Sequence, residues 1–229
     1  MDMRRHGLPR HVERVLMSIA IGSRVPRRGN AFSRWFGSAV LRLVGWRHEG
    51  AIADEPKLVM IGAPHTTNFD GVIAILSLMA LGLDARTMIK KSAFRGPLGR
   101  FLAWAGAVPI DRASPKGVIE QTVELMAGQP RMLLLLAPEG TRGAATEWKR
   151  GFHHIALAAK VPIVAAACNY RTKTITFGPP VSPSVDYEAD LRRILRFVHE
   201  HGYPRHPERL SQPLCELSGR AWRSGARDD

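Results

Sequence analysis

The sequence predicts an α/β fold: a mixed, largely parallel central sheet flanked by helices, with an N-terminal amphipathic helical segment. Short apolar runs of strand length recur at 58–61, 132–137 and 162–168. Amphipathic stretches of helical period alternate with them, and Gly, Pro and polar residues gather where each run ends. Strands alternating with helices imply crossover connections, and crossovers imply strands that are mainly parallel and buried on both faces.

Taken in order, residues 1–29 are punctuated by Arg, Pro and Gly, with one short helix expected over 12–21. Asn30 is placed to cap the next helix. Behind it Phe32, Trp35, Phe36, Ala39, Val40, Leu43 and Trp46 recur at helical spacing, with Arg34, Ser38 and Arg42 on the other side. That face suits either packing on the domain or lying in a lipid interface. Strands are expected over 46–53, 57–62, 87–90, 107–110, 132–137, 162–168 and 173–177. Helices are expected over 69–81, 97–105, 117–127, 151–160 and 186–201, the last amphipathic through Leu191, Ile194, Leu195 and Val198. Residues 202–229 are polar with few apolar anchors, so they are expected to wrap the surface or fray. The expected organisation is a single domain over 1–229, with a helical segment 1–46, a core 47–201 and a tail 202–229.

The chain of 229 residues is 45% hydrophobic, enough for a sizeable core, and its net charge of +13 points to an anionic partner. A nucleic acid is not favoured, because no zinc-finger spacing, helix-turn-helix or aromatic RNA motif accompanies the scattered Arg. Secretory signals and runs of about 18 apolar residues are absent, so no membrane span is expected. Cys168 lies in an apolar run and reads as a structural thiol, with Cys215 the only other cysteine.

Chemistry concentrates where strands end. After 58–61 come Gly62 and Pro64, then His65 and Asp70 at a strand-to-helix junction, where α/β folds bind ligands. A neutral imidazole held by a carboxylate can take a proton from a hydroxyl. The alternative is a histidine bonded to its loop and an aspartate capping the helix. Ile110-Asp111-Arg112 ends another strand with a guanidinium suited to phosphate. A third strand releases Pro138-Glu-Gly-Thr-Arg142, in which Gly140 admits close backbone approach, Thr141 adds a hydroxyl and Arg142 a positive charge. His199, His201 and His206 lack ligand periodicity and read as surface residues. Of His153 and His154, at most one can face a cleft. No metal site or cofactor is expected. Nucleophile-elbow, Walker, dinucleotide and Cys-x-x-Cys motifs are missing, which removes the common hydrolase, NTPase, dehydrogenase and redox classes.

Four blocks in order, His65-Thr-Thr-Asn-Phe-Asp70, Gly106-Ala-Val-Pro-Ile-Asp-Arg112, Pro138-Glu-Gly-Thr-Arg142 and Val161-Pro-Ile-Val164, resemble the glycerolipid acyltransferase family of the lysophosphatidic acid acyltransferase type, in particular its short bacterial members. The resemblance implies a glycerol-3-phosphate acyltransferase-like fold and transfer of an acyl group from acyl-CoA or acyl carrier protein to a lyso-lipid hydroxyl. The default acceptor is 1-acyl-glycerol-3-phosphate, in phospholipid synthesis at the cytoplasmic face of an anionic membrane. His65 becomes the general base, Asp70 its orienting partner, Arg112 a phosphate contact, and Glu139, Gly140, Thr141 and Arg142 the acceptor-binding loop. The chain departs from the family pattern at Pro64, Pro109, Ala137, Gly143 and Ala165. Two other readings stand beside the default: acylation of another lyso-lipid such as a lyso-aminolipid, and a non-catalytic lipid- or anion-binding protein.

Overall fold

A computed structural model describes residues 19, 21–104, 106–111 and 117–222. Among these, the order is α1 (Ala31–Leu43), β1 (Arg47–Gly50), β2 (Lys57–Ala63), α2 (Asn68–Leu81), β3 (Ala85–Lys90), α3 (Gly96–Trp104), β4 (Ala107–Ile110), α4 (Val118–Ala127), β5 (Met132–Leu136), α5 (Gly151–Ala159), β6 (Ile163–Asn169), β7 (Thr174–Phe177), α6 (Tyr187–His201) and α7 (Gln212–Leu217). The helix expected over 12–21 lies outside the described residues except at 19 and 21, where Ile21 bridges to Ile52.

The strands form one sheet in the order β1-β7-β6-β2-β5-β3-β4. Five strands run parallel; β7 is antiparallel to β6, and β1 is parallel to β7. The sheet is therefore mixed and largely parallel, as the alternating pattern predicts. Period-two alternation divides its side chains between two cores. Val59 and Ile61 of β2, Leu134 of β5 and Ile163 of β6 meet α4, α5, α6 and α7 on one face. Leu58 and Met60, Leu133 and Val164 meet α1 and α2 on the other. The central strands are buried on both sides, which is why their sequences are continuous apolar runs rather than alternating ones.

Asn30 caps α1 as expected, in a reciprocal box with Ser33. The stripe expected to choose between core and lipid splits. Trp46 is buried, but Phe32, Trp35, Phe36 and Leu43 are exposed, and the helix packs through Gly37 and Leu41 instead. Gly37 permits this, because a Cβ there would lie 2.7 Å from the Ala80 amide nitrogen and 2.8 Å from the Leu76 carbonyl oxygen.

The tail departs from expectation. A 3₁₀ turn at Pro207–Arg209 leads into α7, and Leu210, Ser211, Leu214 and Cys215 are buried. Two apolar residues of a six-residue helix, with Leu210 just before it, are too few to register as periodicity, yet they close the core beneath α6. Residues 223–229 lie outside the described residues.

Gly37→Val should separate α1 from α2 and destabilise the protein by about 2 kcal/mol, read as a lowered urea midpoint at unchanged slope.

Candidate active site

At the carboxyl end of β2 the chain turns through Pro64, His65, Thr66 and Thr67 before α2 begins. Thr67 is the N-cap and Asp70 the N3 residue of a capping box. One Asp70 oxygen, Oδ2, accepts from the backbone N–H of Thr66 at 2.8 Å and of Thr67 at 3.0 Å. It also lies 3.2 Å from His65 Nδ1, while Oδ1 accepts from the Tyr170 hydroxyl. The two readings of this stretch are thus one arrangement: the carboxylate that starts the helix also holds the histidine. Burial pushes the Asp70 pKa up, but the bonds from His65, Tyr170, Thr67 and Thr66 outweigh it and hold the carboxyl below its ordinary range. An ionised Asp70 calls for the Nδ1–H tautomer of His65, which leaves the Nε2 lone pair as the free basic position.

Two clefts meet at His65. The larger, about 570 Å³, lies at the carboxyl ends of β3, β4 and β5, and Gly140, Thr141, Arg142 and Lys149 line it together with Phe152 and Ile119. The smaller, about 250 Å³, runs from His65 and Asp70 beneath α2 and is walled by apolar groups including Met60, Leu78, Leu83 and Phe177. His65, Thr87, Leu136 and Ala137 line both. Arg142 donates from Nη1 to Asn68 Oδ1, which ties its loop to the first residue of α2. Gly140 adopts a φ of +67°, a conformation that favours glycine.

Glu139 departs from the role expected of it. It is 2% exposed and does not line either cleft. Its Oε2 accepts the His65 backbone N–H at 2.6 Å, and Oε1 lies 3.5 Å from Ser211 Oγ. Burial pushes its pKa up to about 8; the Asp70 charge adds to the rise, against the His65 and Ser211 hydrogen bonds. Ser211 is in turn bonded by the Trp148 indole N–H at 3.0 Å. Arg112 lies outside the described residues.

Tyr170 and Ser211 carry no motif. Tyr170 follows directly on a strand whose carboxyl end shares the edge with His65, a placement visible in the sequence; Ser211 sits in the polar tail and gave no signal. His153 is buried and pairs with Asp190 at 3.0 Å, tying α5 to α6 rather than facing a cleft. Cys168 lines the apolar cleft, where burial first and the Asp70 charge second raise its thiol pKa well above the ordinary value. It is held as a protonated thiol rather than a nucleophile.

Residues 47–169, more than half of the chain, match the sequence model of the family described as Acyltransferase. The chain belongs to that acyltransferase family. It is 30% identical over 146 residues to a 1-acyl-sn-glycerol-3-phosphate acyltransferase of Cocos nucifera, covering 60% of this chain and 46% of that protein. A protein of the same description from Limnanthes alba is 29% identical over 146 residues, covering 60% of this chain and 50% of its own length. The chain spans about half the length of these curated relatives. The crystal structure of the 1-acyl-sn-glycerophosphate (LPA) acyltransferase PlsC from Thermotoga maritima superposes with a TM-score of 0.50 at 13% identity, over 73% of this chain and 78% of that one, which supports the fold. His65, Asp70, Glu139 and Arg142 all fall inside the matched segment of this acyltransferase family member; Tyr170 and Ser211 fall outside it.

The buried Glu139 predicts a pH signature. Its pKa is raised on folding, so between about 4.5 and 8 the folded state holds a proton that the unfolded state has lost. Stability from this group is complete below that window and declines as pH rises through it. Glu139→Gln should flatten the decline, which urea midpoints measured at several pH values between 5 and 9 (about half a unit apart) would reveal.

Proposed function

We propose that the chain is an O-acyltransferase that moves a fatty acyl group from an acyl thioester, acyl-CoA or acyl carrier protein, to the hydroxyl of a lyso-lipid with an anionic headgroup, 1-acyl-glycerol-3-phosphate being the default. The observation that carries this reading is the convergence of an apolar and a cationic cleft on one histidine that a buried carboxylate holds. A long acyl chain suits the first, and a phosphate beside Arg142 and Lys149 suits the second. The relatives named as 1-acyl-sn-glycerol-3-phosphate acyltransferases agree with it.

In the proposed reaction the acceptor hydroxyl gives its proton to His65 Nε2 as its oxygen bonds to the thioester carbonyl carbon. The tetrahedral intermediate collapses with breakage of the C–S bond, and the imidazolium returns the proton to the departing thiolate. Asp70 stabilises the imidazolium between these steps and fixes the ring's tautomer. No enzyme nucleophile is needed, in keeping with the raised pKa of Cys168. Glu139 is reassigned as a positioning residue that holds the His65 backbone; Gly140, Thr141 and Arg142 keep the acceptor side, with Arg112 as a further phosphate contact.

The same reading treats 1–229 as one acyltransferase domain with its core at 47–201, bound peripherally at the cytoplasmic face of an anionic membrane. No helix among the described residues is long and apolar enough to cross a bilayer. Instead Phe32, Trp35 and Leu43 on α1, and Val72 and Ile75 on the packed neighbour α2, are exposed. Aromatic and aliphatic groups left in water on two adjoining helices suit insertion into a headgroup layer, and the net charge of +13 suits an anionic one.

Thiol release from acyl-CoA and from acyl carrier protein, measured over a panel of lyso-lipids, tests the reaction. His65→Ala should lose at least about a hundredfold in kcat; full retention, or no turnover with any pair, rules the mechanism out. Arg142→Ala should raise KM for the phosphorylated acceptor by about tenfold or more while leaving KM for the donor little changed. In flotation on phosphatidylglycerol vesicles, the double variant Phe32→Ser/Trp35→Ser should partition several-fold less than the parent; equal partitioning excludes α1 as the anchor.

A further inference from the structure

The apolar cleft contains a buried, unpartnered hydroxyl that the proposed reaction does not use. From Val72 to Leu81 the sequence of α2 is apolar at every position but Ser77. Ser77 lines the cleft and is 4% exposed, and its Oγ is buried without a hydrogen-bond partner among the described residues. A helical serine ordinarily turns its hydroxyl back to the carbonyl one turn earlier; here that carbonyl belongs to Ile73, and the bond is not made. A buried hydroxyl without a partner is costly, and alanine at this position would avoid the cost.

We propose that Ser77 is a specificity-determining contact that makes this cleft prefer acyl chains bearing a mid-chain oxygen, a hydroxyl or a keto group, over plain saturated chains. The proposal rests on the reading of the cleft as the acyl site. Ser77 lies seven residues beyond Asp70 on α2, so at about 1.5 Å per residue it stands roughly 10 Å along the helix from the reacting end. An oxygen beside the thioester is too near to reach it; one partway along a long chain is not. The serine hydroxyl can donate to a keto oxygen, or donate to and accept from a hydroxyl, so either group satisfies it. The discrimination is asymmetric: a saturated chain leaves the serine unpaired, whereas an oxygenated chain without Ser77 leaves its own oxygen unpaired in an apolar wall. The other polar side chains lining the cleft do not compete for this role. His65 and Asp70 are committed to each other, Thr87 sits at the rim shared with the larger cleft, and Cys168 is a weak hydrogen-bonding thiol.

The test uses palmitate and hydroxypalmitates with the hydroxyl stepped along the chain, as free acids displacing a fluorescent fatty acid and as CoA thioesters in the transfer assay. The full chain should bind one mid-chain isomer about tenfold tighter than palmitate. Ser77→Ala should abolish that preference by weakening the oxygenated ligand, and Ser77→Thr should retain it. An equal ranking of ligands by the parent protein and Ser77→Ala, or no positional preference at all, overturns the proposal. The two readings fail separately. Thioester turnover without positional preference removes this inference alone, and a Ser77-dependent binding preference without turnover removes the transferase alone. Failure of every fatty acid to bind removes both.

Discussion

The Asp70 carboxylate is the point on which the site depends. Four donors converge on it: the backbone N–H groups of Thr66 and Thr67, the His65 ring and the Tyr170 hydroxyl. One of these, from Thr67, closes the first turn of α2, so starting the helix and orienting the His65 ring are the same event. The residue is almost fully buried and would favour its neutral form for that reason alone, yet the donors keep it ionised. Replacing it would therefore disturb a helix terminus, a loop and a tautomer together.

That arrangement is held from behind by a segment that carries no chemistry of its own. The His206 backbone N–H donates to Thr66 Oγ1 at 3.3 Å, and the Tyr203 N–H donates to the Cys168 carbonyl at 2.9 Å. Ser211 approaches Glu139, which grips the His65 N–H. Arg205 lies over the Phe69 ring at 4.9 Å. The loop after β2 and the loop after β5 are thus joined through the chain that follows α6. The buried network is connected from Trp148 through Ser211 and Glu139 to His65, which favours a single rigid geometry.

Much of this was legible in the residues. The apolar runs marked the central strands to within a residue or two, and the turn chemistry after them located His65, Asp70 and Arg142 at one edge of the sheet. Asn30 announced its cap. Other parts were hidden for physical reasons. Periodicity reports that α1 has an apolar face but not which way it points, and the close approach at Gly37 turned Phe32 and Trp35 outward. A carboxylate beside Gly, Thr and Arg reads as a ligand contact, and only the fold shows that Glu139 turns inward. Ser211 and Tyr170 act through pairings 72 and 100 residues apart in the chain, which no local pattern records.

A charged Asp70 calls for His65 to carry its proton on Nδ1 and a lone pair on Nε2. The ¹⁵N chemical shifts of the His65 ring at a pH where the imidazole is neutral measure this directly. One protonated nitrogen is expected, Nδ1, coupled to a downfield proton that disappears in Asp70→Asn. A ring protonated on Nε2, or one exchanging freely between tautomers, would contradict it.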